Sequence, residues 1–113
     1  FKGFPQTRRQ KIGLWIKENT EKNDYVFVFS FADSGPIMVY ADRLSSSKYF
    51  NIIFVNDNNT KQSLYESLRK NKPKCIVINK NQWGKHKEFL DTFMSDYKYK
   101  FTEERYDIFL LKE

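Results

Sequence analysis

The residues with chemistry to offer are few: one histidine, one cysteine, two polar pairs and an arginine set among serines. His86 stands between lysines in "GKHKE", at an expected helix start, which reads as an exposed surface position. Without a second histidine, neither a base-assisted nucleophile nor a metal cluster can be assembled around it. Cys75 lies in the apolar run "CIVI", where a small buried hydrophobe is the ordinary role, and one Cys with one His cannot complete a zinc site. Asp33 with Ser34, in "ADSGP", is the best polar pair, and the same residue types serve equally well as a helix cap. Glu103 and Glu104 fall in an expected turn, where adjacent acids are solvated. Residues 40–50, "YADRLSSSKYF", put Arg43 between an acid and a serine run, with Tyr49 near the far end. A nucleotide-binding turn is not expected, because Gly35 is followed by Pro36, which removes a backbone donor where a phosphate would need one. No cofactor is expected in this domain.

These residues need a scaffold, and the composition bounds it. A chain of 113 residues is the size of one domain, and it is read as a single α/β domain over residues 1–113. With 18% aromatic residues it has the burial needed to offset chain entropy. Its longest apolar run, "YVFVFSFA", is far short of the roughly 20 residues that span a bilayer. The start "FKGFPQTRRQ" has neither an initiator Met nor the apolar stretch of a signal peptide, so the chain reads as a piece cut from a longer protein. The net charge of +6 invites an anionic partner, although the clusters "TRRQK" and "RKNKPK" fall at helix ends and connections, where solvated charge is ordinary.

Periodicity supplies the elements. Ile12, Trp15 and Ile16 form one stripe of a helix over 7–20, and the run at 25–31 fits a strand covered on both faces. Pro36 suits the start of a short helix, "FNIIFV" at 50–55 a second buried strand, and 61–70 a helix with Leu64 and Leu68 inward. "KCIVIN" is the third strand, and 85–97 an amphipathic helix through Phe89, Leu90, Phe93, Met94 and Tyr97. "YKYKF" alternates like an edge strand and pairs with "YDIFLL" across the turn "TEER". Each parallel step needs a crossover, so the order of elements predicts a three-layer, Rossmann-like α/β domain. Its mostly parallel sheet has about five strands in the order 2-1-3-5-4, antiparallel at one edge. Ligands of such sheets sit beyond the strand carboxyl ends where the order reverses. Here that is between strands one and three, with lips at residues 30–35 and at residues 79–84, the latter carrying Trp83.

A phrase-by-phrase resemblance adds a functional expectation. Ile16, Glu18, Asn19 and Thr20 match an "I-x-E-N-T-P"-like phrase, with Glu21 in place of the usual proline; Arg43, Ser45, Ser47, Lys48, Tyr49 and Phe50 resemble an "R-x-S-x-S-R-Y/F" phrase. Together with "SLYESLRKNKPKCIVIN" and the closing "YDIFLLKE", they make the chain similar to the soluble C-terminal domain of polytopic membrane glycosyltransferases. The group is that of dolichyl-phosphate-mannose-protein mannosyltransferases and aminoarabinose transferases. The resemblance implies a non-catalytic domain on the extracytoplasmic side of the cell membrane, in a parent enzyme that moves a sugar from a polyprenyl-phosphate carrier to a protein, lipid or glycan. Its partners would be the membrane-embedded part of the same protein and lipid-linked sugar phosphate or anionic headgroups, nucleic acid not being expected. Arg43 would grip a lipid phosphate, within a binding set of Arg43, Asp33, Ser34, Tyr49 and Trp83, or else tie its loop to Asp42 or Asp33. The competing reading is a free-standing basic α/β module that binds nucleic acid or another anionic partner.

Overall fold

The computed structural model describes residues 7–30, 34–46 and 58–112, with Arg8 and Ser34 described by their backbone alone. The first helix, α1 (Arg8–Asn19), begins where the Thr7 hydroxyl accepts a hydrogen bond from the Gln10 amide at 3.2 Å. It ends at Thr20, whose backbone is extended and whose hydroxyl donates back to the Ile16 carbonyl at 2.7 Å. Ile12 and Ile16 are fully buried, as the stripe requires, and Trp15 packs edge-on against Phe101.

The strand β1 (Tyr25–Phe29) is followed by helix α2 (Ser34–Ala41), with Pro36 in its first turn, and by the two-residue strand β2 (Leu44–Ser45). Helix α3 (Asn58–Lys70) buries Leu64, Tyr65 and Leu68 and leads to β3 (Cys75–Asn79). Two short 3₁₀ turns, Lys80–Gln82 and Gly84–His86, precede α4 (Lys87–Phe93), and a third, Met94–Asp96, follows it. The antiparallel hairpin of β4 (Tyr97–Glu103) and β5 (Tyr106–Leu111) closes the described chain.

The five strands run in the order β2-β1-β3-β5-β4, with β2, β1 and β3 parallel and β5 and β4 antiparallel to their neighbours, as the element order predicts. Alternation along the strands splits the core in two. Phe27, Phe29, Ile76 and Ile78 face α3 and α4, whereas Val26, Val28, Cys75 and Val77 face α1 and α2. Cys75 is fully buried and burial pushes its thiol well above the usual range, so it is the inert core residue that its apolar run suggests.

The second strand expected at 50–55 lies outside the described residues; the edge position beside β1 is filled by Leu44 and Ser45. The helix expected over 85–97 is shorter, and the reason is local. Ser95 turns its hydroxyl back to the Thr92 carbonyl at 2.8 Å, tightening the last turn, and Tyr97 leaves the helix to open β4 with its hydroxyl donated to the Pro73 carbonyl. Gly13 lets α1 and α2 touch: a Cβ there would stand 2.4 Å from the Tyr40 Cβ and 2.7 Å from the Ile37 carbonyl oxygen.

Candidate functional site

The polar groups that the fold brings together lie over the carboxyl end of the parallel strands. His86 is not the surface histidine its lysine neighbours suggest: it is 3% exposed. The chain folds it inward because His86, Phe89, Leu90 and Phe93 lie at helical spacing on one stripe, and that stripe packs on the sheet face carrying Phe29. The imidazole sits 5.2 Å from the Phe29 ring, and its Nδ1 is 2.6 Å from the Tyr65 hydroxyl. Tyr65 in turn stacks flat on Phe89 at 4.1 Å, which fixes the ring that holds the histidine.

Beside this pair opens a cleft of about 440 Å³, lined by the start of α3 and the turn into α4. Lys61, Lys85, Lys87 and Glu88 stand on its rim, and Tyr65, His86 and Phe89 form its deeper wall. Burial, then the charges of Lys61 and Lys85, pull the His86 pKa down to about 4, so the ring is neutral at pH 7. Burial and then Glu88 push the Tyr65 hydroxyl up, so that it keeps its proton. Among the described residues nothing hydrogen-bonds His86 Nε2, and Ser46 Oγ is the only fully enclosed side-chain polar atom left without a partner. The Nε2 edge of the ring is therefore open to the cleft.

A second buried polar pair lies at the same end of the sheet, where the Ser30 hydroxyl and the Tyr106 hydroxyl are 3.0 Å apart. Metal chemistry has no support here, because no group of three or more His, Cys, Asp or Glu side chains able to hold an ion occurs among the described residues. Among the described residues, the hydroxyl that meets His86 is the Tyr65 phenol, which keeps its proton.

The residues singled out from sequence do not converge on this cleft. Arg43 lies at the opposite, amino end of the parallel strands, just before β2. Its guanidinium donates to the Thr20 hydroxyl at 2.9 Å, to the Lys17 and Thr20 carbonyls at 2.9 Å each, and to the Asp42 carbonyl at 3.0 Å. It thus closes the carboxyl terminus of α1, using carbonyls in place of the expected Asp42 or Asp33 carboxylate. Trp83 is half-buried at the lip, its indole N–H donating to Asp107 at 3.3 Å and its ring edge-on to Phe109. Asp33 and Tyr49 lie outside the described residues, and Ser34 opens α2. The switch between β1 and β3 falls where the strand order placed it; Gly84 of the expected lip lines the cleft, while the remaining walls come from α3 and α4.

With this geometry in hand, comparison with known protein families gives a match. The model of the family described as "Putative competence-induced protein Ccs4 C-terminal domain" matches residues 6–112. No curated protein and no solved structure matches the chain. The family match overturns the expected glycosyltransferase domain, with its mannosyltransferase activity and sugar-phosphate chemistry: it spans nearly the whole chain, whereas the transferase-like phrases are short and degenerate. No helix among the described residues is long and apolar enough to cross a membrane.

Proposed function

We propose, on the premise that this chain belongs to the Ccs4 C-terminal domain family, that it is a small-molecule-binding domain. Its ligand would sit in the cleft over the carboxyl ends of β1 and β3. The observation that carries this reading is the buried His86–Tyr65 pair, whose free imidazole edge opens into that cleft. Replacing both members of a buried polar pair by apolar groups of the same shape can be nearly neutral or stabilising, so stability alone does not account for this one. The cleft volume of about 440 Å³ lies in the range of sites for small molecules, and polar groups converging on a partly aromatic wall are what such sites present. The position agrees with the rule that open α/β sheets bind ligands at the carboxyl ends beside a reversal of strand order. Because the family is described as competence-induced, we assign this binding to cells in that state.

The test is a screen of pooled small metabolites by two-dimensional NMR. Saturable shifts clustered at residues 58–65 and 84–89, and abolished by Tyr65→Phe with His86→Phe in a folded protein, are the expected result. Shifts clustered instead on the groove formed by Lys22, Met38, Val39, Arg43 and Leu44 would overturn the assignment.

A further inference from the structure

Trp83 and the aromatic residues of β4 stand outside the cleft, and several of them meet on one face of the hairpin. In the β4–β5 ladder Tyr99 lies opposite Phe109 and Thr102 opposite Asp107. Residues three apart in a regular strand point to opposite faces. The register shift between Tyr99 and Phe101 makes Lys100 an extra residue, so Tyr99 and Thr102 share a face while Phe101 turns to Trp15 on the other. On the shared face Phe109 meets two rings edge-on, Trp83 at 5.8 Å and 73° and Tyr99 at 5.7 Å and 66°. Trp83, Phe109 and Asp107 are half-buried, and Tyr99 is 55% exposed.

One carboxylate holds both flanking rings. Asp107 accepts the Trp83 indole N–H at 3.3 Å through Oδ2 and the Thr102 hydroxyl at 2.6 Å through Oδ1. Thr102 has a single hydroxyl proton and gives it to Asp107, so the Tyr99 hydroxyl, 2.6 Å away, donates to Thr102. An exposed tyrosine is thereby tied in place, at a cost in side-chain freedom that a solvated ring need not meet. Among the described residues no basic side chain pairs with Asp107 or stands over these three rings, although Arg69 lies over Phe89 and Lys72 over Phe93.

We infer that this face of the hairpin binds an alkylated ammonium group, at a site separate from the cleft and independent of the reading given for it. Aromatic faces attract cations electrostatically, and ring centres this close let one cation lie within about 6 Å of neighbouring rings. Quaternary ammonium groups are the ligands that such aromatic clusters recognise. Asp107 supplies the opposite charge and has no cation of its own among the described residues. Both its oxygens already accept a hydrogen bond, which suits a cation that brings no N–H to be satisfied. The chain of hydrogen bonds from Tyr99 through Thr102 to Asp107, with Trp83 on the far oxygen, orders the rings before any ligand arrives.

The experiment titrates the full chain with choline, with ammonium and with the uncharged alcohol in which carbon replaces the choline nitrogen, at neutral pH and one ionic strength. The Trp83 indole N–H and the backbone amides of residues 83, 99–102 and 107–109 report binding by two-dimensional NMR. Choline is expected to saturate the shifts there, about tenfold more tightly than either control. Asp107→Asn, which removes the charge, and Tyr99→Leu, which removes an exposed ring, should each weaken choline about tenfold in proteins whose spectra remain dispersed. Equal binding of the alcohol would reduce the site to apolar contact, and equal binding of ammonium would reduce it to the carboxylate charge; either result overturns the inference. Undiminished binding by Tyr99→Leu, shifts confined to residues 58–65 and 84–89, or silence towards choline would overturn it too, the second while leaving the cleft as a binding site. Sedimentation of the chain with phosphatidylcholine vesicles, reversed by choline, assigns the group to a lipid headgroup. Saturable choline binding without sedimentation assigns it to a free cation, and the site stands in both cases.

Discussion

Protonating His86 should loosen the fold, and the amount follows from its surroundings. The ordinary imidazole value is 6.5, and burial with Lys61 and Lys85 nearby brings the folded value to about 4. The unfolded chain therefore binds the proton first on acidification. Stability from this residue is complete above about pH 6.5 and is lost progressively as the pH falls towards 4. Linkage sets a ceiling of about 3 kcal/mol between pH 7 and pH 4. Because one edge of the ring meets solvent in the cleft, screening brings the expected loss down to about 2 kcal/mol. The assay is urea unfolding followed by tryptophan fluorescence at both pH values, in the native sequence and in His86→Gln. Glutamine can still accept the Tyr65 hydroxyl but does not titrate, and the carboxylates titrate in both proteins, so the difference isolates the imidazole. As the chain has one histidine, no other ring contributes. If both proteins lose the same stability on acidification, the buried, neutral state argued for His86 is wrong.

The other expectations concern the scaffold. Gly13→Ala should cost roughly 2 kcal/mol, read as a fall in thermal midpoint, because the new methyl meets backbone at 2.7 Å and α1 must lift from α2. Arg43→Ala removes the donors that close α1 and should cost about 2 kcal/mol in urea unfolding, with Arg43→Lys recovering little because an ammonium cannot span the Lys17 and Thr20 groups in a fork. Cys75 should resist an aromatic disulfide reagent until the protein is unfolded by denaturant, its thiol being fully buried and its thiolate strongly disfavoured.

The sheet was legible because alternation and crossover rules act on whole segments. The run "YVFVF" could only be an interior strand, and the alternation in "YKYKF" placed the hairpin at an edge. The site was harder to read because its signal sits in a single residue. Lysines on both sides of His86 suggested solvent, yet its spacing to Phe89, Leu90 and Phe93 carried the opposite message, and helical periodicity outranks the polarity of immediate neighbours. Tyr65 could not be paired with it from sequence, since the two are 21 positions apart and meet only once α3 and the turn before α4 pack on the same face. The Arg43 segment was read two ways, as a ligand loop or as a structural tie, and its arginine donates to the orphan carbonyls at the end of α1, a partner that a sequence separation of 23 to 26 residues does not announce.

The hairpin at the end of the sheet also sets an order of assembly. Its strands are joined by a two-residue loop, Glu104 and Arg105, with Glu104 at φ 54° in the left-handed region that a tight connection uses. Closing that loop has little chain entropy to overcome, while pairing Val26 with Cys75 must first close the whole stretch between them. The hairpin is thus expected to form early as a local unit, and the parallel half, including the switch between β1 and β3, to form later. A chain emerging from synthesis exposes β1 well before β3, its partner across the switch, so this all-apolar strand waits for the neighbour that covers one of its edges.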